Sequence, residues 1–213
     1  MTQPLDTSAE RTRLREATRT RRASRSAQQK QLADEARTCR LLDLLSGLAD
    51  SKPFVACYLA TQAEPDTLAF AHAWSAPSAN GLPAGGHGLL VPIFTDWRTS
   101  RTPQWALWRA DEPLAKSFAD IPVPADATPA TPAQLAAVDV IIISGLLADQ
   151  HGNRLGTGGG WFDRTLPRFR RDAVRICLLN DDEIVNQLNP DPHDEPVDVL
   201  ITQSQTIVTH ARV

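Results

Sequence analysis

The 213-residue chain has no uninterrupted apolar run near the ~20 residues that a membrane-spanning helix requires. Its first stretch, MTQPLDTSAERTRLRE, is polar where a secretory leader would carry its apolar segment. A soluble, cytoplasmic protein with no membrane partner is the expectation. Cysteine is scarce. Cys39, Cys57 and Cys177 are odd in number and far apart, which excludes a disulfide framework and CxxC-type metal ligation and reads as three small buried apolar groups. Lysine is scarcer relative to its partner: Lys30, Lys52 and Lys116 stand against 19 arginines among the 22 basic residues. With 25 acidic residues the net charge is −3, so no overall basic field argues for nucleic acid. What is present is ordinary for a globular chain, 42% hydrophobic and 22% charged residues, and the length fits one domain over residues 1–213. Disorder and collagen-like classes are excluded.

The arginines are not spread evenly, since seven of them fall between Arg11 and Arg25. Residues from about 8 to 48 contain neither proline nor glycine before Gly47 and are rich in Ala, Arg, Leu, Gln and Glu, which predicts two helices. In the first, Leu14, Ala17 and Arg21 share a face. In the second, Leu32, Ala36, Cys39, Leu42, Leu45 and Leu48 form an apolar stripe, with Ser24 or Ser26 as its cap. PFVACYL reads as a strand and the Ala-rich stretch from Thr67 to about Ala76 as a helix, followed by a Gly- and Pro-rich loop and the strand GLLVPIF. Prolines break up the stretch from Asp96 to Thr131, where a short hairpin around Gln104 to Arg109 is expected. VDVIIIS is a β-branched run typical of a strand buried on both faces of a parallel sheet, and AVRICLLN and VDVLIT follow it. Strands alternating with helices predict an α/β fold with a mostly parallel sheet.

Directly after the strongest strand comes GLLADQHGNRLGTGGGWFDR, with glycines at 145, 152, 156, 158, 159 and 160. Such density lets successive N–H groups point into one concavity that holds phosphate oxygens. The position beyond a strand's carboxyl end favours a ligand, and a helix starting near Trp161 would add its dipole. Arg154 and Arg164 supply forked cationic donors, and Asp163 a carboxylate for Mg²⁺. The loop fits neither GxxxxGK[ST] nor GxGxxG with a ribose-binding acid, and no Ser/His/Asp or Cys/His motif is present. The residues by themselves describe an anion-binding α/β protein.

The segment DVIIISGLLADQHGNRLGTGGGWFDR resembles the signature of 5-formyltetrahydrofolate cyclo-ligases, close to D-hhhh-PGLAFD-x-x-G-x-RLG-x-G-x-GYYDR. RTRLREATRTRR, YLATQAEPDT and PHDEPVDVLIT resemble, in order, that family's basic helix, its strand-and-glutamate segment and its HDxxVDxhhT. The resemblance implies a three-layer, Rossmann-like α/β sandwich in a monomer of one-carbon metabolism. It implies a ligase that uses ATP and Mg²⁺ to close 5-formyltetrahydrofolate, with or without a polyglutamate tail, to 5,10-methenyltetrahydrofolate. The formyl oxygen is phosphorylated, N10 attacks the activated carbon, and ADP and phosphate are released; no side-chain nucleophile is required.

By the same resemblance, Arg11 and Arg15 contact ATP phosphates, and Arg154, Leu155, Gly156, Thr157, Gly158, Gly159, Gly160, Trp161 and Phe162 form the nucleotide loop. Arg154 and Trp161 take the catalytic positions. Leu59, Glu64, Thr157, Gly158, Gly159, Gly160 and Trp161 bind the folate, Glu64 through the pterin end, and Asp163 and Asp194 support the metal. The chain departs from the signature at Arg11, where lysine is usual, at Ser144 and Ala148, which replace proline and phenylalanine, and at Trp161-Phe162, which replace two tyrosines. Those departures leave a second reading open, a non-catalytic relative that binds ATP or folate. A sugar-phosphate isomerase on a similar sheet and nucleic-acid binding by the arginine-rich helix are the others weighed.

Overall fold

The structure is a computed structural model and describes residues 7–48, 53–61, 63–76, 88–94, 102–117 and 120–210. The Gly- and Pro-rich loop expected before GLLVPIF lies mostly outside these residues. Two helices open the fold, α1 (Thr7–Ser24) and α2 (Ala27–Gly47). Ser26, not Ser24, caps α2: its hydroxyl accepts from Gln29 N at 3.2 Å while Gln29 Oε1 accepts from Ser26 N at 2.8 Å.

Neither helix buries the expected stripe. In α2 the inward face is Ala33, Arg37, Leu41 and Leu45, whereas Leu32 is 59% exposed and Leu48 42%. An arginine in the middle of the face hides it from an apolar count. Arg37 is buried because Nη1 donates to Leu179 O and Asn180 Oδ1, both at 3.1 Å, and Nη2 to Asp34 at 2.5 Å. Among the described side chains of α1 only Thr18 and Arg22 are buried, and Ala17 and Arg21 face solvent.

The sheet has seven strands in the order β12-β11-β9-β6-β1-β2-β3. These are β1 (Val55–Cys57), β2 (Leu89–Ile93), β3 (Gln104–Trp108), β6 (Val140–Ser144), β9 (Val174–Leu178), β11 (Val199–Ile201) and β12 (Thr206–Val208). The five central strands run parallel, and β3 and β12 are antiparallel edges. The expected hairpin at 104–109 is therefore the edge strand β3, laid along β2 with Leu89 opposite Trp108 and Ile93 opposite Gln104. The proline-rich stretch contributes a separate pair, β4 (Leu114–Lys116) with β5 (Pro122–Pro124), and the one-turn helix α4 (Pro132–Ala136) behind a Thr131/Gln134 capping box.

Period-two alternation divides the core into two layers. Val55, Cys57, Val140 and Ile142 pack with Leu41 and Leu45 of α2 and with Phe70 and Trp74 of α3 (Leu68–Ser75). Ala56, Ile141, Ile143 and Cys177 pack on the opposite side with Leu135 of α4, Leu166 and Phe169. The result is the expected three-layer sandwich. Cys57 and Cys177 are core residues, burial pushing the Cys177 thiol up to about 12, while Cys39 is exposed, contrary to the reading of all three as buried.

After β6 the chain forms a small hairpin of β7 (Leu147–Asp149) and β8 (Arg154–Leu155), flanked by β10 (Ile184–Val185). The fully buried Asp149 ties this turn: it accepts from His151 N at 3.0 Å, Asn153 N at 3.1 Å, Asn153 Nδ2 at 3.0 Å and Leu188 N at 2.8 Å. Asp149→Ala strands several part-buried donors, and urea denaturation is expected to read a loss of about 2 kcal/mol, since an unsatisfied buried group costs roughly 1–3 kcal/mol and these donors are partly reachable by water.

Candidate active site

The chain runs from β1 out to β2 and β3, then returns to place β6 on the other side of β1. Such a reversal opens a crevice at the carboxyl ends of the strands. A cavity of about 560 Å³ lies there, lined by Tyr58 and Leu59 after β1, Pro92 and Phe94 at the end of β2, and Ser144 and Leu146 at the end of β6. Its other walls come from α1, from residues 156–163 and from residues 191–194.

One end is cationic. Arg11, Arg15 and Arg19 recur every fourth residue of α1 and all line the cavity. Burial, and then the neighbouring charges of Arg11 and Arg19, pull the Arg15 pKa below its ordinary value, with Asp194 and Asp191 opposing. Arg15 Nε donates to Gly156 O at 3.0 Å and Arg19 Nη2 to Thr157 O at 2.9 Å, while Arg164 takes Gly159 O. With its carbonyls held by arginines, the loop leaves the N–H groups of residues 156–160 without an acceptor among the described residues. Gly158 has φ of +99°, a conformation that side-chain-bearing residues rarely adopt, so glycine serves the turn. These unpaired donors beneath three arginines suit a polyphosphate. The helix expected after the loop, α5 (Trp161–Thr165), is a single turn, so the amides and arginines, not a helix dipole, supply the field.

The other end is an acceptor site walled by aromatic rings. Glu64 Oε2 accepts from Thr61 N at 3.0 Å and Thr61 Oγ1 at 2.9 Å, and Oε1 from Ser144 Oγ at 2.6 Å. Tyr58 fixes the same loop by donating to Pro65 O at 2.6 Å; burial, and then the Glu64 charge, raise its pKa well above the usual phenol value. Trp161 lies 5.2 Å from both Trp105 and Phe162 and 5.5 Å from Phe94, giving flat faces for a planar ligand.

Asp191, His193 and Asp194 form a third group, their ligand atoms within 4.8 Å of one another. Arg11 sits against it, Nη2 donating to Asp194 Oδ2 at 2.9 Å and Nη1 lying 3.4 Å from Asp191 Oδ2. Carboxylates beside an imidazole are a donor set compatible with Mg²⁺, which binds through one or two carboxylates and keeps its waters. Asp163, expected with Asp194 at the metal, lies outside this group; its Oδ1 accepts from Arg154 Nη2 and, at 3.3 Å, from Glu195 N. It holds the Arg154 guanidinium.

The cavity thus gathers Arg11, Arg15, Leu59, Glu64, Arg154, Gly156, Thr157, Gly158, Gly159, Gly160, Trp161, Phe162, Asp163 and Asp194. Leu155 is the exception: it is a buried core residue that does not line it. Sequence reasoning missed Arg19, whose signal was the same four-residue spacing as Arg11 and Arg15. It also missed Arg22, which bonds Glu183 Oε1 at 2.8 Å across 161 residues of chain and so left no local signal.

Fold and site together define an α/β protein with one cavity, cationic at one end and offering a carboxylate acceptor beside aromatic rings at the other. The family model described as "5-formyltetrahydrofolate cyclo-ligase family" matches residues 7–203, and the chain belongs to this family of ligases. It is 30% identical over 165 residues to the 5-formyltetrahydrofolate cyclo-ligase of Mycolicibacterium smegmatis, covering 77% of this chain and 80% of that one. A shorter match, 32% identical over 72 residues, joins 33% of the chain to 40% of the Escherichia coli K12 5-formyltetrahydrofolate cyclo-ligase. Two solved structures share the fold. The 5,10-methenyltetrahydrofolate synthetase of Aquifex aeolicus superposes with a TM-score of 0.71 at 22% identity, covering 95% of this chain and 93% of that one. That of Mycoplasma pneumoniae gives 0.66 at 16%, covering 91% and 99%.

Proposed function

We propose that the protein is an ATP- and Mg²⁺-dependent 5-formyltetrahydrofolate cyclo-ligase, acting as a cytoplasmic monomer in one-carbon metabolism. The observation that carries this reading is the joining, in one cavity, of the arginine ladder over free loop amides with the hydrogen-bonded carboxylate of Glu64. ATP supplies the phosphoryl group that turns the formyl oxygen into a leaving group, and N10 of the folate closes the ring as phosphate departs.

The chain's own residues bind, orient and neutralise. Arg15, Arg19 and the amides of residues 156–160 hold the phosphates. Arg154 is held by Asp163 and lies 5.7 Å over the Phe162 ring, which places a fixed cation at the junction of the loop and the aromatic wall. Charge developing on a transferring phosphoryl group is stabilised most by donors already in position. Asp191, His193 and Asp194 would hold Mg²⁺, which would supply charge neutralisation for the phosphates, and Arg11 partners those carboxylates at the phosphate end of the cavity. Glu64 and the faces of Trp161 and Phe162 position the pterin, and Leu59 closes its apolar side.

The test is absorbance in the methenyl-folate band with protein, 5-formyltetrahydrofolate, ATP and Mg²⁺ mixed, each omitted in turn. Growth only in the complete mixture is expected, and ATP binding with no growth in any mixture would instead mean a relative without turnover. Arg15→Ala removes one charged hydrogen-bonding group from the phosphate end and is expected to raise the KM for ATP about 10- to 100-fold while that for the folate moves less than about threefold.

A further inference from the structure

The two carboxylate oxygens of Glu64 are not equivalent. Thr61 donates twice to Oε2, from its backbone N–H at 3.0 Å and its hydroxyl at 2.9 Å. Oε1 takes one protein donor, the Ser144 hydroxyl at 2.6 Å, and keeps acceptor capacity. A hydroxyl has a single proton, and that of Ser144 is committed to Glu64. Its lone pairs remain, and Ser144 lines the same cavity from the last position of β6. Two acceptor oxygens 2.6 Å apart, on side chains brought together across 80 residues of sequence, are thereby offered side by side.

We propose that Ser144 is a specificity-determining residue that touches the substrate: Ser144 Oγ and Glu64 Oε1 form an acceptor pair that reads two adjacent N–H donors on the edge of a planar heterocycle. This rests on the proposed reading that the pterin end lies at Glu64, where a ring N–H and an exocyclic amino group form such an edge. The pair also rejects. A carbonyl in place of the amino group would face the Ser144 lone pairs, and the hydroxyl could turn its proton to that carbonyl only by abandoning Glu64. An unpaired buried polar group discriminates more strongly than a missing apolar one. The proline that the family signature carries at this position can neither donate to Glu64 nor offer a side-chain acceptor.

The experiment measures binding of 5-formyltetrahydrofolate and its 2-desamino analogue by quenching of tryptophan fluorescence, in the wild type, Ser144→Ala and Ser144→Thr, with turnover followed in parallel. The wild type is expected to prefer the amino-bearing ligand by about 100-fold and Ser144→Ala by about tenfold, one hydrogen bond's worth of selectivity having been removed. Ser144→Thr, which keeps the hydroxyl, should stay within about threefold of the wild type, and ATP binding should be unchanged in all three. Equal selectivity in wild type and Ser144→Ala overturns the acceptor pair, whatever happens to the melting temperature. Selective binding without ring closure overturns the proposed reaction and supports the pair, and no folate binding by the wild type overturns both.

Discussion

Arg22→Ala is expected to lose about 3 kcal/mol of folding stability, because removing the main partner of a buried ion pair leaves the Glu183 charge to the more distant Arg25, whose Nη1 lies 3.5 Å from Oε1. Arg22 donates to Glu183 from Nε at 2.8 Å and Nη2 at 2.7 Å, with side-chain exposures of 6% and 0%. The same guanidinium donates to Gly145 O at 2.6 Å and Ala63 O at 3.1 Å, the backbones that carry Ser144 and Glu64. The loss therefore falls on fold and site together. Burial opposes the charge on Glu183 but is outweighed by the hydrogen bonds and charge of Arg22 and the bonds from Asn180, so its pKa lies below the ordinary glutamate range. A carboxyl depressed on folding contributes stability above its unfolded pKa of about 4.3 and loses it as pH falls through the lower folded value. Without Arg22, burial dominates, the Glu183 pKa rises, and acid no longer costs that contribution. Urea titrations at pH 7 and pH 4 should show the variant's deficit shrinking at the lower pH; a constant deficit would mean that the pair is not what the substitution broke. Replacing both residues with apolar ones of similar volume is expected to recover most of the loss.

Glu64→Gln has the largest expected effect on activity, a fall in kcat/KM for the folate of about 100- to 1000-fold with the KM for ATP within about threefold. The substitution keeps size and removes charge, but its chief fault is directional. A carboxamide brings an NH₂ into a place where Thr61 and Ser144 already donate, so either that NH₂ opposes their protons or it faces the donors of the ligand. Steady-state kinetics with each substrate varied in turn separates the two KM values, and an equal loss for both would contradict the assignment of Glu64 to the heterocycle.

The layers of the sandwich were legible because its central strands are written in β-branched runs, VIIIS above all, and because a strand buried on both faces needs no alternation. The glycine loop was legible because free amides require residues that tolerate unusual backbone angles. Wherever an arginine does a hydrophobe's work, the reading failed: Arg37 interrupts the inward face of α2, and an apolar count slid that stripe onto Leu32 and Cys39. The Arg154 partner of Asp163 was hidden for a related reason. A carboxylate after a glycine run looks the same in sequence whether it faces a metal or an arginine, and only the fold brings Arg154 to it. β3 looked like half of a local hairpin because its partner β2 lies upstream, beyond a stretch that carries no strand signal.

The attachment of α1 has a consequence of its own. This helix buries no large apolar side chain among its described residues and is clasped by guanidinium groups, through Asp194, Gly156 O, Thr157 O, Glu183 and, from Arg21, Asp182. Apolar docking is indifferent to salt, but contacts of this kind near the surface are screened by it. Phosphate oxygens arriving between Arg15, Arg19 and the glycine loop would add fresh bonds across the same seam, so occupancy and helix retention are a single coupled equilibrium. A phosphate ligand would then be a structural member of the fold, a strut between its first helix and its sheet, and its binding would be expected to protect α1 against salt.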